Sequence, residues 1–126
     1  MFRSFLPAFL IALAFSCGKE SGPASDARRL GEMEQEILTL VQDKACGGER
    51  TCGTIAFGVK PCGGPWKYLV YSLKAADLVV LKEKVNAYNE LNGLLNQREG
   101  RSSDCALVPP PAVSCQDGQC KPDTNQ

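Results

Sequence analysis

The amino-acid sequence predicts an α+β fold, in which two helices pack on one face of a small antiparallel sheet stapled by about three disulfides. Two segments, about 26–45 and 75–98, carry apolar residues at spacings of three and four, the pattern of an amphipathic helix. Runs rich in β-branched and aromatic residues lie between and after these segments. Of seven cysteines, six lie after residue 45, and an even number in a small domain is typical of a disulfide framework if the domain is exported.

Residues 1–16 have the pattern of a bacterial lipoprotein signal peptide. Arg3 supplies one positive charge, and the apolar run 5–15 is shorter than the roughly 20 residues that a membrane-spanning helix needs. Small Ser16 lies directly before Cys17, so we expect Cys17 to become the new N-terminus and to carry palmitate or related acyl chains. Plain secretion with cleavage nearby and an uncleaved anchor are the alternatives.

The residues after the signal favour an outer-membrane address in the bacterial cell envelope. Gly18 follows the cysteine, whereas an Asp at that place tends to hold a lipoprotein at the inner membrane. Small and polar residues continue, so we expect 17–25 to hold the lipidated cysteine and a flexible tether. The length of 126 residues allows one domain, predicted over 26–121, and residues 122–126 are expected to fray.

The first predicted helix spans about 26–45. Ser25 or Asp26 is a suitable N-cap, and Gly47 and Gly48 are expected to end the helix. Acidic and amide side chains occupy the faces that we expect to meet solvent. The apolar face is formed by Leu30, Met33, Ile37, Leu40 and Val41.

An antiparallel pair of strands and a stiff loop are predicted next. Residues 52–59 and 66–71 are rich in side chains that favour strands, and Gly58 is expected to end the first strand. The connection 60–65 holds two prolines and two glycines around Cys62, which is a composition typical of turns.

The second predicted helix spans 75–98. Ser72 or Asp77 can cap its start, and Gly100 is a suitable residue to follow its end. We expect its apolar stripe to pack against the sheet. The stripe is formed by Leu78, Leu81, Val85, Tyr88, Leu91 or Asn92, and Leu95.

The C-terminal part is predicted to contain short strands. Residues 105–108 are consistent with one strand and 112–115 with another, separated by three prolines that must be extended. The dipeptide Asp-Gly at 117–118 favours a two-residue hairpin turn. That turn would place Cys115 opposite Cys120, so a bridge between these two is geometrically conceivable.

The six downstream cysteines are expected to form three disulfides, in one of 15 possible connectivities. A zinc site is the competing interpretation. No pair of cysteines has the C-x2-C spacing and the chain has no histidine, so we expect no metal. The six are Cys46, Cys52, Cys62, Cys105, Cys115 and Cys120.

The stretch CGTIAFGVKPCGGPWKYLVYS, followed by AYNELN and SSDCALVPPPAVSCQDGQC, resembles a family of small exported bacterial proteins. These proteins are frequent as predicted lipoproteins in Bacteroidetes and related groups. The resemblance covers about 46–120 and is most specific in the Cys-Gly-Gly-Pro block. The resemblance supplies no candidate catalytic residues, because that family has no established biochemical activity.

The resemblance also implies one disulfide pairing. The family's usual pattern has four cysteines, which match Cys46, Cys62, Cys105 and Cys115. The two additional cysteines, Cys52 and Cys120, would then bond to each other, because bonded cysteines tend to appear together and a lone exported thiol is reactive.

Composition argues against several function classes. The absence of histidine removes the commonest general base and metal ligand. The 14 basic and 14 acidic side chains balance, so there is no electrostatic footprint for nucleic acid. We therefore expect no enzyme activity, no cofactor and no nucleic-acid partner, and we expect membrane contact through the lipid on Cys17.

The best candidate for a binding site is the loop after the first strand. Cys62 would staple this loop, prolines would stiffen it, and Trp66 would supply a large contact. The plain structural alternative is that two glycines allow a turn around the disulfide while Trp66 caps the core. The candidate residues are Lys60, Pro61, Gly63, Gly64, Pro65 and Trp66.

The expected function is that of a lipid-anchored cell-envelope protein with a non-catalytic binding or structural role and a possible protein partner in the envelope. The alternative is a secreted peptidase inhibitor that presents the loop from Lys60 to Trp66.

Overall fold

A computed structural model describes residues 22–48 and 51–124. It confirms an α+β domain with two helices, antiparallel strands and three disulfides. The strands form two separate two-stranded sheets, where the sequence predicts one. The elements are α1 (Pro23–Leu40), β1 (Cys52–Phe57), β2 (Lys67–Ser72), α2 (Leu78–Arg98), β3 (Val113–Gln116) and β4 (Gln119–Pro122). The predicted signal peptide, Cys17 and most of the predicted tether lie outside the described residues.

Helix α1 starts three residues earlier than the sequence predicts. Gly22 is its N-cap, and Pro23 occupies the first turn, where a missing N–H costs no hydrogen bond. Ser25 lies inside the helix, and its hydroxyl accepts from the Gly22 N–H. Ser25 and Asp26 are therefore not caps, and the tether predicted over 17–25 is already helical from Pro23.

Helix α1 also ends earlier, at Leu40, so Gly47 and Gly48 do not terminate it. Tertiary contacts explain the difference, because they hold the following residues in extended backbone. The Cys120 N–H donates to the Lys44 carbonyl, and the Cys46 N–H donates to the Gly118 carbonyl. Gly118 and Cys120 belong to the C-terminal hairpin, and no local pattern in the α1 sequence predicts these contacts.

Strands β1 and β2 pair in antiparallel register, with Ile55 opposite Leu69 and Phe57 opposite Lys67. Gly58 ends β1 at a φ of +74°, a left-handed conformation that glycine adopts without strain. The strand therefore ends where the sequence predicts, and the chain turns into the candidate loop.

Helix α2 begins at Leu78 with Asp77 as its N-cap, which selects one of the two predicted caps. The Asp77 carboxylate accepts from the N–H groups of Val79 and Val80. Gly100 follows the C-cap with a φ of +60°, as predicted.

The two helices run antiparallel and close one core with the β1–β2 hairpin. Ion pairs join Asp26 to Arg98 at one end of the helix pair and Glu36 to Lys84 further along it. Neither helix in the described ranges is long and apolar enough to cross a membrane. The core consists of Ile37, Val41, Phe57, Leu69, Tyr71, Leu81, Val85 and Tyr88.

The C-terminal hairpin forms as the Asp-Gly dipeptide predicts. Asp117 and Gly118 both have positive φ, and Cys115 lies directly opposite Cys120. The possible strand at 105–108 is wrong, because that stretch is irregular and mostly exposed. The fraying predicted over 122–126 does not begin at Pro122, which belongs to β4.

Three disulfides staple the domain, and none joins the two cysteines that face each other in the hairpin. The Cys52–Cys120 bridge implied by the family resemblance is present. Two bridges lie together at the hairpin, and the third lies beside the candidate loop. The pairs are Cys46–Cys115, Cys52–Cys120 and Cys62–Cys105, with Cα–Cα distances of 5.8, 5.5 and 5.2 Å.

Candidate binding loop

Residues 60–66, which we call the stapled loop, form a tight hydrogen-bonded turn. The Gly63 N–H donates to the Lys60 carbonyl over 2.8 Å, and the Lys60 N–H donates to the Gly64 carbonyl over 2.8 Å. Gly63 and Gly64 have φ values of +94° and +78°, which side-chain-bearing residues rarely adopt. The two glycines are therefore required by the backbone of the turn.

Three asparagines on one face of α2 hold the backbone that enters the stapled loop. Asn89 accepts from the Gly58 N–H, and its amide donates to the Ala56 carbonyl. Asn92 accepts from the Val59 N–H over 2.8 Å, and Asn96 donates to the Val59 carbonyl over 2.6 Å. We call Asn89, Asn92 and Asn96 the asparagine ladder. It fixes the loop to a helix rather than to a neighbouring strand.

Lys60 differs from the other candidate residues because its side chain is buried, with 4% exposure. Its ammonium group donates to the Asp104 carboxylate and to the Ala106 carbonyl, each over 2.8 Å. The same nitrogen lies 5.3 Å from the centre of the Trp66 ring, within cation–π range. Lys60 therefore positions the loop and is not available as a contact for a partner.

The stapled loop is tied to the irregular segment 103–107 as well as to α2. The Cys62–Cys105 bridge joins the two stretches covalently, and the Cys62 N–H donates to the Ser103 hydroxyl over 3.4 Å. Lys60 contacts both the Ala106 carbonyl and the Trp66 ring, and Leu107 follows Ala106 in the chain.

The exposed part of the loop is largely uncharged. Trp66 is 45% exposed, with its inner edge against Gly58, where an added Cβ would meet the ring at 2.9 Å. Leu107 is 92% exposed. We call Trp66, Leu107 and the neighbouring loop residues the stapled surface; those neighbours are Pro61, Gly63, Gly64 and Pro65. The structure thus brings together all predicted loop residues except the Lys60 side chain.

A groove of about 400 Å³ separates the stapled loop from the C-terminal end of α2. Its walls include Pro61 and Gly63 on the loop side and Gly93, Asn96 and Arg101 on the helix side. The groove shows that the loop and the last turns of α2 belong to the same end of the molecule.

Sequence reasoning missed Asp104 and most of the asparagine ladder. The spacing of Asn89, Asn92 and Asn96 by three and four places them on one helix face, and this pattern was available in the sequence. Amides on the core side of a helix indicate backbone to be held, because buried polar groups need hydrogen-bond partners. Asp104 has no comparable local signal.

The Lys60–Asp104 contact predicts a pH dependence of stability. The hydrogen bond from Lys60 lowers the pKa of the Asp104 carboxyl, and the Ala106 N–H lowers it further. A lowered pKa in the folded state stabilises the fold above the unfolded value of about 4, and this stabilisation is lost as the pH falls through the lower folded value. In urea unfolding, the free energy of unfolding of the wild type should therefore exceed that of Asp104→Asn at pH 6. This difference should disappear as the pH falls below about 4.

Asp117→Asn is the matched control, because that exposed carboxylate meets Lys121 at the surface over 3.4 Å. We expect its stability to follow the wild type across the same pH range. Parallel profiles for wild type and Asp104→Asn would contradict the assigned contact.

A cluster of cysteine side chains lies at the C-terminal hairpin. The sulfur atoms of Cys46, Cys52 and Cys120 lie within 4.8 Å of one another. All three are in disulfides, so their sulfurs are not thiolate ligands for a metal. The cluster is a covalent staple at the end of the domain opposite the stapled loop.

No protein-family model, curated protein or solved structure matches this chain. The family resemblance carried by the Cys-Gly-Gly-Pro block therefore stays a prediction.

Proposed function

We propose that this protein is a lipid-anchored component of the bacterial cell envelope that acts by non-catalytic binding through the stapled surface. The observation that carries the proposal is Trp66, a large aromatic side chain that is 45% exposed on a loop fixed on both sides. An exposed aromatic group on flexible backbone would lose entropy on binding, whereas here the backbone is already ordered.

Export supports the proposal from a separate direction. Three disulfides persist in oxidising compartments, and the signal pattern that ends at Cys17 provides both export and an anchor. Several acyl chains on one N-terminus hold a protein at the membrane effectively permanently. An anchored binding module needs only modest affinity, because the anchor raises the local concentration of its partner.

The peptidase-inhibitor alternative fits the loop less well. Residues 60–64 form a closed turn with hydrogen bonds between Lys60, Gly63 and Gly64, whereas strand-like recognition needs extended backbone with free N–H and C=O groups. The one cationic side chain of the loop is buried against Asp104. Rigidity remains the feature that this alternative shares with the binding role.

Retention on envelope membranes tests the proposal. When membranes from a bacterium that processes lipoproteins are dissolved in detergent and the phases are separated, the full chain should enter the detergent phase. Residues 18–126 behind a plain secretory signal, which cleavage removes, should enter the aqueous phase. The residual binding of this unlipidated chain to intact membranes should fall about tenfold when Trp66→Ala is added, which corresponds to the loss of one binding hot spot.

Val79→Ala is the matched control for the surface substitution, since Val79 is 68% exposed on the first turn of α2. We expect it to leave the residual binding unchanged. Equal losses for Trp66→Ala and Val79→Ala would reject the stapled surface as the contact, and entry of the unlipidated chain into the detergent phase would reject the anchor.

A further inference from the structure

We propose that the partner of the stapled surface is the lipid bilayer itself, at the interface between headgroups and acyl chains. The inference rests on the proposed function, because it takes the anchor at Cys17 as its starting point and then asks which end of the domain that anchor brings to the membrane.

The N-terminus of the described chain leaves the domain at the end that carries the stapled loop. Asp26 in the first turn of α1 pairs with Arg98 at the last turn of α2 over 2.8 Å. The last turns of α2 form one wall of the groove beside the loop, through Asn96 and Arg101. Gly22, one helical turn before Asp26, therefore lies at this same end.

The length of chain between the anchor and the domain limits how the domain can be oriented. Four residues lie between Cys17 and Gly22, and the five Cα-to-Cα steps that join the two span at most about 18 Å even when fully extended. Helix α2, with 21 residues, is about 31 Å long, so the hairpin end lies beyond that reach when Gly22 faces the membrane. The tether therefore keeps Gly22, and with it the end of the domain that carries the stapled loop, within about 18 Å of the anchor. In this orientation the two clustered disulfides lie on the side of the domain away from the membrane.

The chemistry of the stapled surface suits that location. Tryptophan is enriched where membranes meet water, because its ring is apolar and its indole N–H still bonds to polar groups. Leu107, which follows the Lys60-bound Ala106, is 92% exposed, and the only lysine inside the loop is buried. The charged side chains that flank the surface, Lys67 and Asp104, are 53% and 67% exposed and would stay among the headgroups. Exposed Arg28 and Arg29 in the first turns of α1 can meet anionic phosphates at the same end.

Neither Trp66 nor Leu107 is large enough to hold a free domain on a membrane. The anchor changes this balance, because a tethered group samples the surface at high effective concentration. We therefore expect the contact in the lipidated protein and only weak contact in an unlipidated chain.

Trp66 is the sole tryptophan of the chain, so its fluorescence reports on this contact directly. Purified lipidated protein is reconstituted into vesicles of phosphatidylcholine and phosphatidylglycerol whose acyl chains carry bromine. We expect emission from Trp66 to fall at least about twofold relative to unbrominated vesicles, as for an interfacial indole. Unchanged emission would overturn the proposal.

A relocated tryptophan is the matched control. The double variant Trp66→Phe with Val79→Trp places the only indole at the far end of α2, and brominated lipid should leave its emission unchanged. Equal quenching at positions 66 and 79 would also overturn the inference, because it would indicate that both ends of the domain contact the bilayer equally.

Two further measurements distinguish failure of this proposal from failure of the one on which it rests. Mass spectrometry of the same sample shows whether Cys17 carries acyl chains, and a chain without them overturns both proposals. In the second measurement, aqueous iodide is added to the lipidated protein on vesicles. If iodide quenches the Trp66 emission, and only added envelope protein shields Trp66 from iodide, the bilayer contact is overturned and the anchor remains.

Discussion

Removing both disulfides at the C-terminal hairpin should unfold the domain, whereas removing either one should leave it folded. With Cys46–Cys115 intact, the Cys52–Cys120 bridge closes a ring of only about a dozen residues, so its loss costs about 3 kcal/mol. Once it is gone, the second bridge closes a ring of about 27 residues through Cys62–Cys105, and its loss costs about 3.5 kcal/mol. The combined cost of about 6 to 7 kcal/mol is comparable with the whole net stability of a small domain.

Urea unfolding followed by circular dichroism tests this expectation. Alanine is the suitable replacement, because Cys120 is 2% exposed and a serine hydroxyl there would be buried. The variant Cys52→Ala with Cys120→Ala should unfold cooperatively at lower urea, and adding Cys46→Ala and Cys115→Ala should abolish the transition. A quadruple variant that keeps a midpoint near wild type would contradict the assigned role of the two bridges.

Removing two members of the asparagine ladder should detach the stapled loop and destabilise the fold. Asn92→Ala leaves the Val59 N–H without its partner, and Asn96→Ala leaves the Val59 carbonyl without its partner. Both hydrogen bonds are only partly buried, so the loss of each costs about 1 kcal/mol and the double variant should lose about 2 kcal/mol. Amide hydrogen exchange at Gly58 and Val59 should accelerate before that of the core strands.

Asn86→Ala is the matched control, because Asn86 lies on the exposed face of the same helix. The substitution changes the intrinsic helix propensity by the same amount as Asn92→Ala. It should be neutral or slightly stabilising. If Asn86→Ala and Asn92→Ala had equal effects on stability, the ladder would have no role beyond helix formation.

Those parts of the fold that depend on local sequence were predictable. Asp117 and Gly118 specify a tight hairpin by their tolerance of positive φ, and Gly58 and Gly100 end their elements for the same reason. Helix α2 follows from the spacing of its apolar residues, and the predicted end at Arg98 is correct.

Those parts that depend on distant contacts were not predictable from local patterns. Helix α1 stops at Leu40 because Lys44 and Cys46 bond to the C-terminal hairpin, more than 60 residues later in the chain. Lysine is usually a surface residue, yet the Lys60 side chain is buried because its ammonium group donates hydrogen bonds to the Asp104 carboxylate and the Ala106 carbonyl. In the candidate site, the loop and the helix face that carries the asparagine ladder could be located from sequence, but the contact of Lys60 with Asp104 could not.

The arrangement of the disulfides also determines what a single cut in the backbone would do to this protein. The exposed segment 106–108 is the natural place for a peptidase to cleave, because it is irregular, mostly accessible and free of the three prolines that follow. After such a cut, the hairpin would still be held to the rest of the chain by Cys46–Cys115 and Cys52–Cys120, and Cys105 would still hold the other new end to Cys62. The two fragments would stay joined, with one water added by the hydrolysis, until a reductant opened the bridges. The bridges therefore preserve the integrity of the molecule as well as its stability.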